Sequence, residues 1–456
     1  MSNENQKRLP DLIRKIIEAS TVDEAALRDL LNNYRPEDIA DALVEFSEED
    51  TNRIVALLPP EAAGHVILEA DPVSQEDILE QLPPGQIADI VDELPPDEGV
   101  DLVQLIADKE IEKVLSEVKT EARGDVEELL TYPDDTAGGV MTPDLVKVPQ
   151  TATAQDAITT IQGEIDAEMV DEIYVIDKEN VLVGVVTIKD LITAPPAVPV
   201  LDFMRAPISV NVFADQEEAA RQVTHYNLRH IPVVDSNGTL HGVVTADDVI
   251  DIMDEEASED IHRLAGVHGE HPTQQPLVKQ FAHRMPWLLV TVVGGFAAAF
   301  VVNAFGAVLN AVLAVAFFMP VVIGLSGSVG IQSSAMMVRG IATGEVVVGR
   351  MVRLAFLQLL VGFLIGLACA VILGLLVALI APYLQGAPSP VLGLVIGAGV
   401  LAAASLAAFM GTVIPMVAHR IGADPAVVAG PFVTVLIDFT GLFIYLLIAL
   451  VFLKVL

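Results

Sequence analysis

Asp438 is the residue whose surroundings most demand a chemical explanation. It lies in the run Thr434-Val-Leu-Ile-Asp438-Phe-Thr440-Gly441, thirteen residues into an otherwise uncharged apolar stretch. A carboxylate near the middle of a bilayer costs roughly 2.5–3.5 kcal/mol on insertion scales, so such a residue ordinarily faces a watered path or a bound cation. A neutral carboxyl buried for packing is the alternative. No basic residue occurs at comparable depth in any apolar stretch to pair with it, which favours the cation path. A second acidic feature runs from Asp247 to Asp260 and holds eight acids in fourteen residues. On a helix, Asp248, Asp251, Glu255 and Glu259 recur at three- and four-residue spacings, where like charges repel. A charge run usually marks a solvated face, and halophilic adaptation would supply acid everywhere, but this run stands where the acidic half joins the apolar half, and hard divalent cations with oxygen ligands are the natural counter-ions for it. His268-Gly-Glu-His271 has metal-binding spacing, but in a linker containing glycine and proline it reads as a solvated loop.

The elements that carry these residues are of two kinds. From Pro286 onward the only charged side chains are Arg339, Glu345, Arg350, Arg353, Arg420, Asp424, Asp438 and Lys454, net +2, whereas residues 1–285 hold 59 acids and 20 bases, net −39. So acidic a surface repels a polyanion and excludes nucleic acid as a partner. The apolar half offers five stretches near the 20 residues needed to span a bilayer, at 286–304, 308–337, 354–381, 390–418 and 426–453. Lys279, Arg284, Arg339, Arg350, Arg353 and Arg420 all fall on one side of these spans. The positive-inside rule therefore places the amino-terminal half in the cytoplasm and the carboxy terminus outside an inner, multi-pass cell membrane. Gly430-Pro431 and the series Pro320, Gly324, Gly327, Gly330 are expected to loosen two helices and free carbonyls toward a cavity, although glycines alone more often mark close helix packing. The one cysteine, Cys369, excludes an intrachain disulfide, and the polar start of the chain lacks the apolar core of a signal peptide.

The acidic half contains a duplication. Residues 177–192 and 235–250 are identical at eight of sixteen positions, including Gly184/Gly242, Thr187/Thr245 and Asp190/Asp248. Each copy reads as two short strands followed by Thr-x-x-Asp opening a helix, where Thr caps and Asp complements the helix dipole. The pattern resembles a tandem pair of CBS domains, regulatory modules that often bind adenine nucleotides. That resemblance implies ribose contacts at Thr187, Asp190, Thr245 and Asp248, although capping accounts for the same residues without a ligand. Upstream, Pro36, Pro60, Pro72, Pro84 and Pro96 fall on a 12-residue grid shared by Glu48 and Asp108. Short apolar clusters between them predict two- to three-turn helices stacked as a solenoid. Neither a phosphate-binding loop nor the nucleophile and zinc motifs of hydrolases occur, so an ATP-driven pump and an enzyme are both disfavoured.

The fold class is thus a multidomain membrane protein: an acidic, superhelical α-helical N-domain (1–130), α/β CBS domains at 135–195 and 200–255, an acidic connecting helix and linker at 256–285, and a five-helix transmembrane domain at 286–456. In that order the chain resembles the MgtE family of magnesium channels. The matching motifs are Ala137-Gly-Gly-Val-Met-Thr-Pro143, Glu256-Ala-Ser-Glu-Asp-Ile-His262, Gln332-Ser-x5-Arg339-Gly-Ile-Ala-Thr343 and Asp424-Pro-Ala…Gly430-Pro-Phe-Val-Thr434…Asp438-x-Thr-Gly441. The resemblance implies a homodimer in lipid with the pore on its twofold axis and a hydrated magnesium ion at Asp438. It places Gly430, Thr434 and Ser328 along the pore and Asp424 at the cytoplasmic mouth. It also implies a magnesium sensor built from Asp215, Glu217, Asp248, Asp251, Glu256, Glu259 and Asp260, with Asp97 in the N-domain. The sequence departs from the family pattern at Ser326-Gly327-Ser328-Val329-Gly330, where the family has Gly-Gly-Asn-x-Gly, and at Asn227, where the family has a sensor acid. The competing functions are a sodium- or proton-coupled exchanger, a transporter of manganese or cobalt, and a membrane-anchored reporter of adenylate status.

Overall fold

The computed structural model describes residues 9–17, 24–163, 169–267, 277–346, 348–380 and 391–455, and these divide into two compact units at Asp254/Glu255. In the first unit, ten helices precede the first strand: α1 (Leu9–Ile17), α2 (Glu24–Leu31), α3 (Pro36–Leu43), α4 (Glu48–Val55), α5 (Pro60–Leu68), α6 (Pro72–Gln81), α7 (Pro84–Val91), α8 (Pro96–Gln104), α9 (Asp108–Glu117) and α10 (Thr120–Leu129). The proline grid is the set of first helical residues, and Glu24 and Thr120 extend it at both ends. Proline fits there because its fixed φ suits the helix and its missing N–H would have had no partner. It also keeps the preceding residue extended, and Arg35, Pro59, Asp71, Pro83 and Pro95 all have ψ between 145° and 153°. α4, α9 and α10 start without proline; at α4 the Ser47 hydroxyl accepts the Asp50 N–H, while α9 and α10 have no side-chain cap.

Alternate helices pack together, α3 on α5, α5 on α7 and α7 on α9, with α4 on α6 and α8 on α10. Ile54, Val66, Ile67, Ile78, Leu102 and Val114 are fully enclosed. Each such side chain contributes roughly 1.5–3 kcal/mol on burial.

Two three-stranded sheets follow. In the first, β1 (Leu145–Pro149) runs parallel to β2 (Met169–Ile176), which pairs antiparallel with β3 (Leu182–Thr187). In the second, β4 (Val210–Asn211), β5 (His230–Val234) and β6 (Leu240–Thr245) repeat that topology. The helices are α11 (Ala154–Gly163) and α12 (Ile188–Thr193) in the first repeat, α13 (Gln216–Tyr226) in the second, and α14 (Ala246–Leu264) after it. The repeats exchange partners. Thr142, ahead of the first sheet, pairs with Val243 of β6, and Arg205, ahead of the second, pairs with Val185 of β3. The paired glycines of the duplication permit this crossing, since a Cβ on Gly184 would collide with Met204 and one on Gly242 would come within 2.7 Å of the Thr142 carbonyl. The first repeat keeps its own core around Val146, Ile173 and Val186. The second shares one core with the solenoid, continuous from Leu9 to Val249 and Ile252.

The second unit holds α15 (Leu277–Ala304), α16 (Gly306–Ala311), α17 (Ala314–Ala342), α18 (Met351–Ile380), α19 (Val391–Arg420), α20 (Pro425–Ala429) and α21 (Pro431–Val455). Five segments are long and apolar enough to cross a membrane: Leu277–Ala304, Ala314–Ala342, Met351–Val377, Leu392–Arg420 and Pro425–Phe452. At about 1.5 Å per residue each exceeds the roughly 30 Å hydrocarbon core. α19 is central, packed on α17, α18 and α21, while α15 lies on α21. Small residues permit these close approaches: a Cβ on Gly366 would come within 3.1 Å of Leu401 Cα, and Gly411 meets Gly330 backbone to backbone.

Three features differ from the hydropathy reading. The first helix begins nine residues before Pro286, because helical hydrogen bonding runs through the polar turn around Lys279 and Arg284. The second begins at Ala314, because the apolar residues before it form the separate helix α16. α17 is continuous through Pro320 and its glycines, so the expected loosening occurs only in the last span, where Gly430 (ψ −124°) separates α20 from α21. Gly330 of α17 serves packing, since a Cβ there would strike Ile437, whereas one on Gly324 would meet nothing within 4 Å.

Candidate cation path and acidic seam

Asp438 sits on α21 half-buried among spans. Its carboxylate faces Gly327 of α17, where an added Cβ would stand 3.4 Å from Oδ1. Among the described residues it has no ion-pair or hydrogen-bond partner. One turn earlier Thr434 lies on the same helix face; its N–H and hydroxyl both contact the Gly430 carbonyl at 3.3 Å. One turn later, Gly441 abuts Ser326, whose hydroxyl donates to the Val322 carbonyl at 2.8 Å. Ser328 is exposed on α17, donating to the Gly324 carbonyl at 2.8 Å. The residue brought against Asp438 from the divergent motif is Gly327, not Ser328.

The break at Gly430 is a docking point. Pro431 lacks an N–H and disfavours a helical residue before it. A Cβ on Gly430 would lie 2.9 Å from the Leu264 carbonyl and 3.0 Å from that of Arg263, so the end of α14 rests on the break. Leu264 packs with Val338, Ala426 and Ala429. Gly266, at φ +72°, turns the chain away; it also lies where a Cβ would meet Pro431 Cγ at 2.8 Å. Asp424 caps α20, its Oδ1 accepting the Ala426 N–H at 2.7 Å. Its Oδ2 pairs with Arg263 Nη1, while Arg263 Nη2 pairs with Glu259. Asp260 joins this cluster: burial and the charges of Asp424 and Glu256 raise its pKa to about 6, against the opposing pull of Arg263 and Arg339.

In the first unit, acids of the solenoid face acids of α14. Asp97, in the first turn of α8, is pushed up to about 6 by burial and then by the charge of Asp248; N–H groups of Asp97 and Glu98 and the Thr142 hydroxyl oppose the shift. Glu98 rises to about 7 by burial and the charges of Asp97, Asp248, Glu69 and Asp247, and it also meets His65 Nδ1 at 2.9 Å. Glu69 is raised by burial, Glu37 and Asp251. The carboxylate side chains of Asp97, Asp248 and Asp251 thus belong to one seam, whereas Glu256, Glu259, Asp260 and Asp424 belong to the cluster at Arg263. Asp215 stands elsewhere as the cap of α13, accepting the Glu217 N–H at 2.9 Å. Asn227 ends that helix at φ +52°, a left-handed position that asparagine tolerates better than most residues. Among the described residues no three His, Cys, Asp or Glu side chains converge as ligands of a bare ion. The motif His268-Gly-Glu-His271 lies outside the described residues.

Both Thr-x-x-Asp pairs form reciprocal caps. Thr187 Oγ1 donates to Asp190 at 2.8 Å and accepts the Asp190 N–H at 3.2 Å; Thr245 Oγ1 and Asp248 are 2.5 Å apart, with the return bond at 3.3 Å. Asp190 also receives Arg205 Nη2 at 3.0 and 3.1 Å. Among the described residues Asp248 receives no such cation.

The sequence patterns of three families match in chain order: the MgtE intracellular N domain at residues 34–135, CBS domains at 137–197 and 200–255, and the divalent cation transporter MgtE at 319–448. The magnesium transporter MgtE of Thermus thermophilus is 35% identical over 435 residues, 94% of this chain and 95% of that one. The chain belongs to the MgtE family of magnesium transporters. MgtE of Bacillus subtilis is also 35% identical, over 74% of each chain. Among solved structures, the soluble part of a magnesium transporter matches with TM-score 0.50 and 29% identity, covering 55% of this chain and 99% of that chain. The cytosolic domain of the Mg2+ channel MgtE in complex with ATP matches with TM-score 0.50 and 32% identity, covering 54% and 99%. MgtE proteins are transporters rather than enzymes, and the helical N-domain, CBS pair and five apolar helices of this chain follow that plan.

Sequence reading of this MgtE chain left Glu69, Glu98, Asp247 and Arg263 unassigned. The acids are indistinguishable by type from dozens of solvated neighbours, and only burial against Asp97 and Asp248 sets them apart. Arg263 carried one available signal, as the first arginine or lysine after eight acids.

Proposed function

We propose that the chain is a magnesium-selective channel that admits magnesium to the cytoplasm and is closed by cytoplasmic magnesium. The observation that carries the reading is the unpaired, half-buried carboxylate of Asp438 against Gly327. Magnesium sheds water reluctantly and keeps several of its waters, so a carboxylate bordered by glycine leaves room for the hydrated ion. In a homodimer two copies of Asp438, with backbone oxygens near Gly430 and Thr434, form the ring, and Asp424 lies at the mouth. A divalent ion moving inward gains roughly 4.6 kcal/mol at 100 mV, from about 2.3 per elementary charge. No other energy source is required.

The sensor is the acidic run with its solenoid partners: Asp97, Asp215, Glu217, Asp248, Asp251, Glu256, Glu259 and Asp260. Partly hydrated magnesium bridges carboxylates through its waters, which suits a seam without a tight ligand triad. When magnesium is scarce the acids repel one another; when abundant, it cancels the repulsion and favours the contracted state that presses α14 onto the Gly430 break. ATP, bound by the relative's cytosolic domain, fits the role of a second ligand through Thr187, Asp190, Thr245 and Asp248. The soluble domains are cytoplasmic and the carboxy terminus is outside, by the distribution of Arg and Lys.

Flux of several divalent ions into liposomes holding the full-length protein tests this reading. Asp438→Asn is expected to reduce magnesium flux to background while leaving the protein folded. Undiminished flux would overturn the conduit, and dependence on a sodium or proton gradient would replace the channel with an exchanger.

A further inference from the structure

Arg263 sits between Glu259 of the proposed sensor and Asp424 of the proposed pore mouth. Its Nη1 pairs with Asp424 and its Nη2 with Glu259. The side chains of Arg263 and Asp424 are about 30% exposed, so solvent screens the pair only in part. The backbone of the same residue rests against Gly430, and its neighbour Leu264 fills the pocket of Val338, Ala426 and Ala429. The guanidinium is always charged and offers forked donors, so it ties two carboxylates on separate elements, α14 and the cap of α20, without any metal.

We propose that Arg263 is a tethered counter-ion: it latches the end of α14 onto the helix break at Gly430 through Asp424, so that docking here does not depend on divalent cation. The inference rests on the reading of α14 as the gating element. Arg263 does not touch the transported ion; it positions Asp424 and the docked helix end. Magnesium arriving at Asp424 or Glu259 meets a carboxylate already neutralised, and the cation-dependent part of closure is left to the acids without an arginine, those of the Asp97–Asp248 seam. The latch sets how far the gate is closed before any magnesium binds.

Docking is read directly, without transport, from a thiol pair. In full-length protein carrying Cys369→Ala, Leu264→Cys and Ala429→Cys, a short bis-maleimide, each arm of which takes up one thiol by addition across its double bond, is applied in excess chelator. Cross-linking is expected to be fast with Arg263 present, and Arg263→Gln is expected to slow it roughly two- to five-fold, the range for a partly exposed ion pair. Asp424→Asn is expected to slow it similarly, and the double variant no further, because both changes remove one interaction. Arg263→Lys keeps the charge and is expected to retain most of the rate. Unchanged cross-linking in Arg263→Gln, independent effects of the two neutralisations, or an equal loss in Arg263→Lys would each overturn the latch. A conduit that fails the Asp438 flux test leaves this readout unaffected, so the two readings fail separately.

Discussion

Thr142 and Arg205 occupy the same position in the two CBS repeats. Thr142 exchanges both backbone hydrogen bonds with Val243 at 2.9 Å, and Arg205 does the same with Val185 at 2.9 and 3.0 Å. One is a fully buried hydroxyl and the other a cation. The consequence falls on the paired capping acids. The Thr187 hydroxyl and the guanidinium of Arg205 hold Asp190 below the usual carboxylate range, whereas burial and the charges of Asp247 and Asp251 hold Asp248 above it despite its bonds to Thr245. The duplication supplies a cation to one acid and, among the described residues, none to the other.

Removing one charge of the seam should therefore imitate the effect proposed for magnesium. Limited proteolysis of full-length protein in chelator is expected to cut residues 120–265 more slowly in Asp97→Asn than in the parent, with a smaller further change on adding millimolar magnesium. Equal magnesium responses in the two proteins would remove Asp97 from the sensor.

Acidification should act in the same direction. Asp97 (about 6) and Glu98 (about 7) sit above their ordinary values near 4, chiefly through burial. The packed seam therefore holds protons that the separated carboxylates release. Its stability is greatest below the ordinary values and falls as pH rises through about 6 and 7. In chelator, the midpoint of thermal unfolding of the first unit is expected to be higher at pH 5 than at pH 8, and Asp97→Asn/Glu98→Gln should narrow that difference.

Gly327→Ala separates packing from conduction. Alanine in a helix interior is favoured over glycine by roughly 0.5–1 kcal/mol, and the new Cβ, 3.4 Å from Asp438 Oδ1, needs only a small shift. Stability should hold or rise, while magnesium flux in liposomes falls by about an order of magnitude, because the methyl group takes space from the hydrated ion and its water shell. Unaltered flux would mean that the ion does not pass this face.

The capping threonines carry a ligand test. Thr187→Ala removes an N-cap and should cost about 1 kcal/mol in denaturant unfolding. If Thr187 also holds a ribose, ATP affinity measured by titration falls by more than the same change in stability produced at an unrelated cap, such as Ser47→Ala. Equal ATP affinity would leave Thr187 a cap alone.

Local rules determined a good deal of this protein. The proline grid sets where each solenoid helix starts, since proline restricts its own φ and its neighbour's ψ wherever it occurs. Apolar length marks five spans, the repeat of Gly-Val-Val-Thr-x-x-Asp marks the CBS pair, and the solvation cost of one carboxylate marks Asp438. Each of these signals lies within a few consecutive residues. Tertiary structure decided what depends on neighbours far apart in the chain: that Gly327 rather than Ser328 meets Asp438, that Arg205 and Thr142 are equivalents serving opposite repeats, and that Arg263 reaches an acid 161 positions away. Charge and burial act through space, so an acid's role follows from which side chains packing brings beside it, and residue type alone does not carry that information.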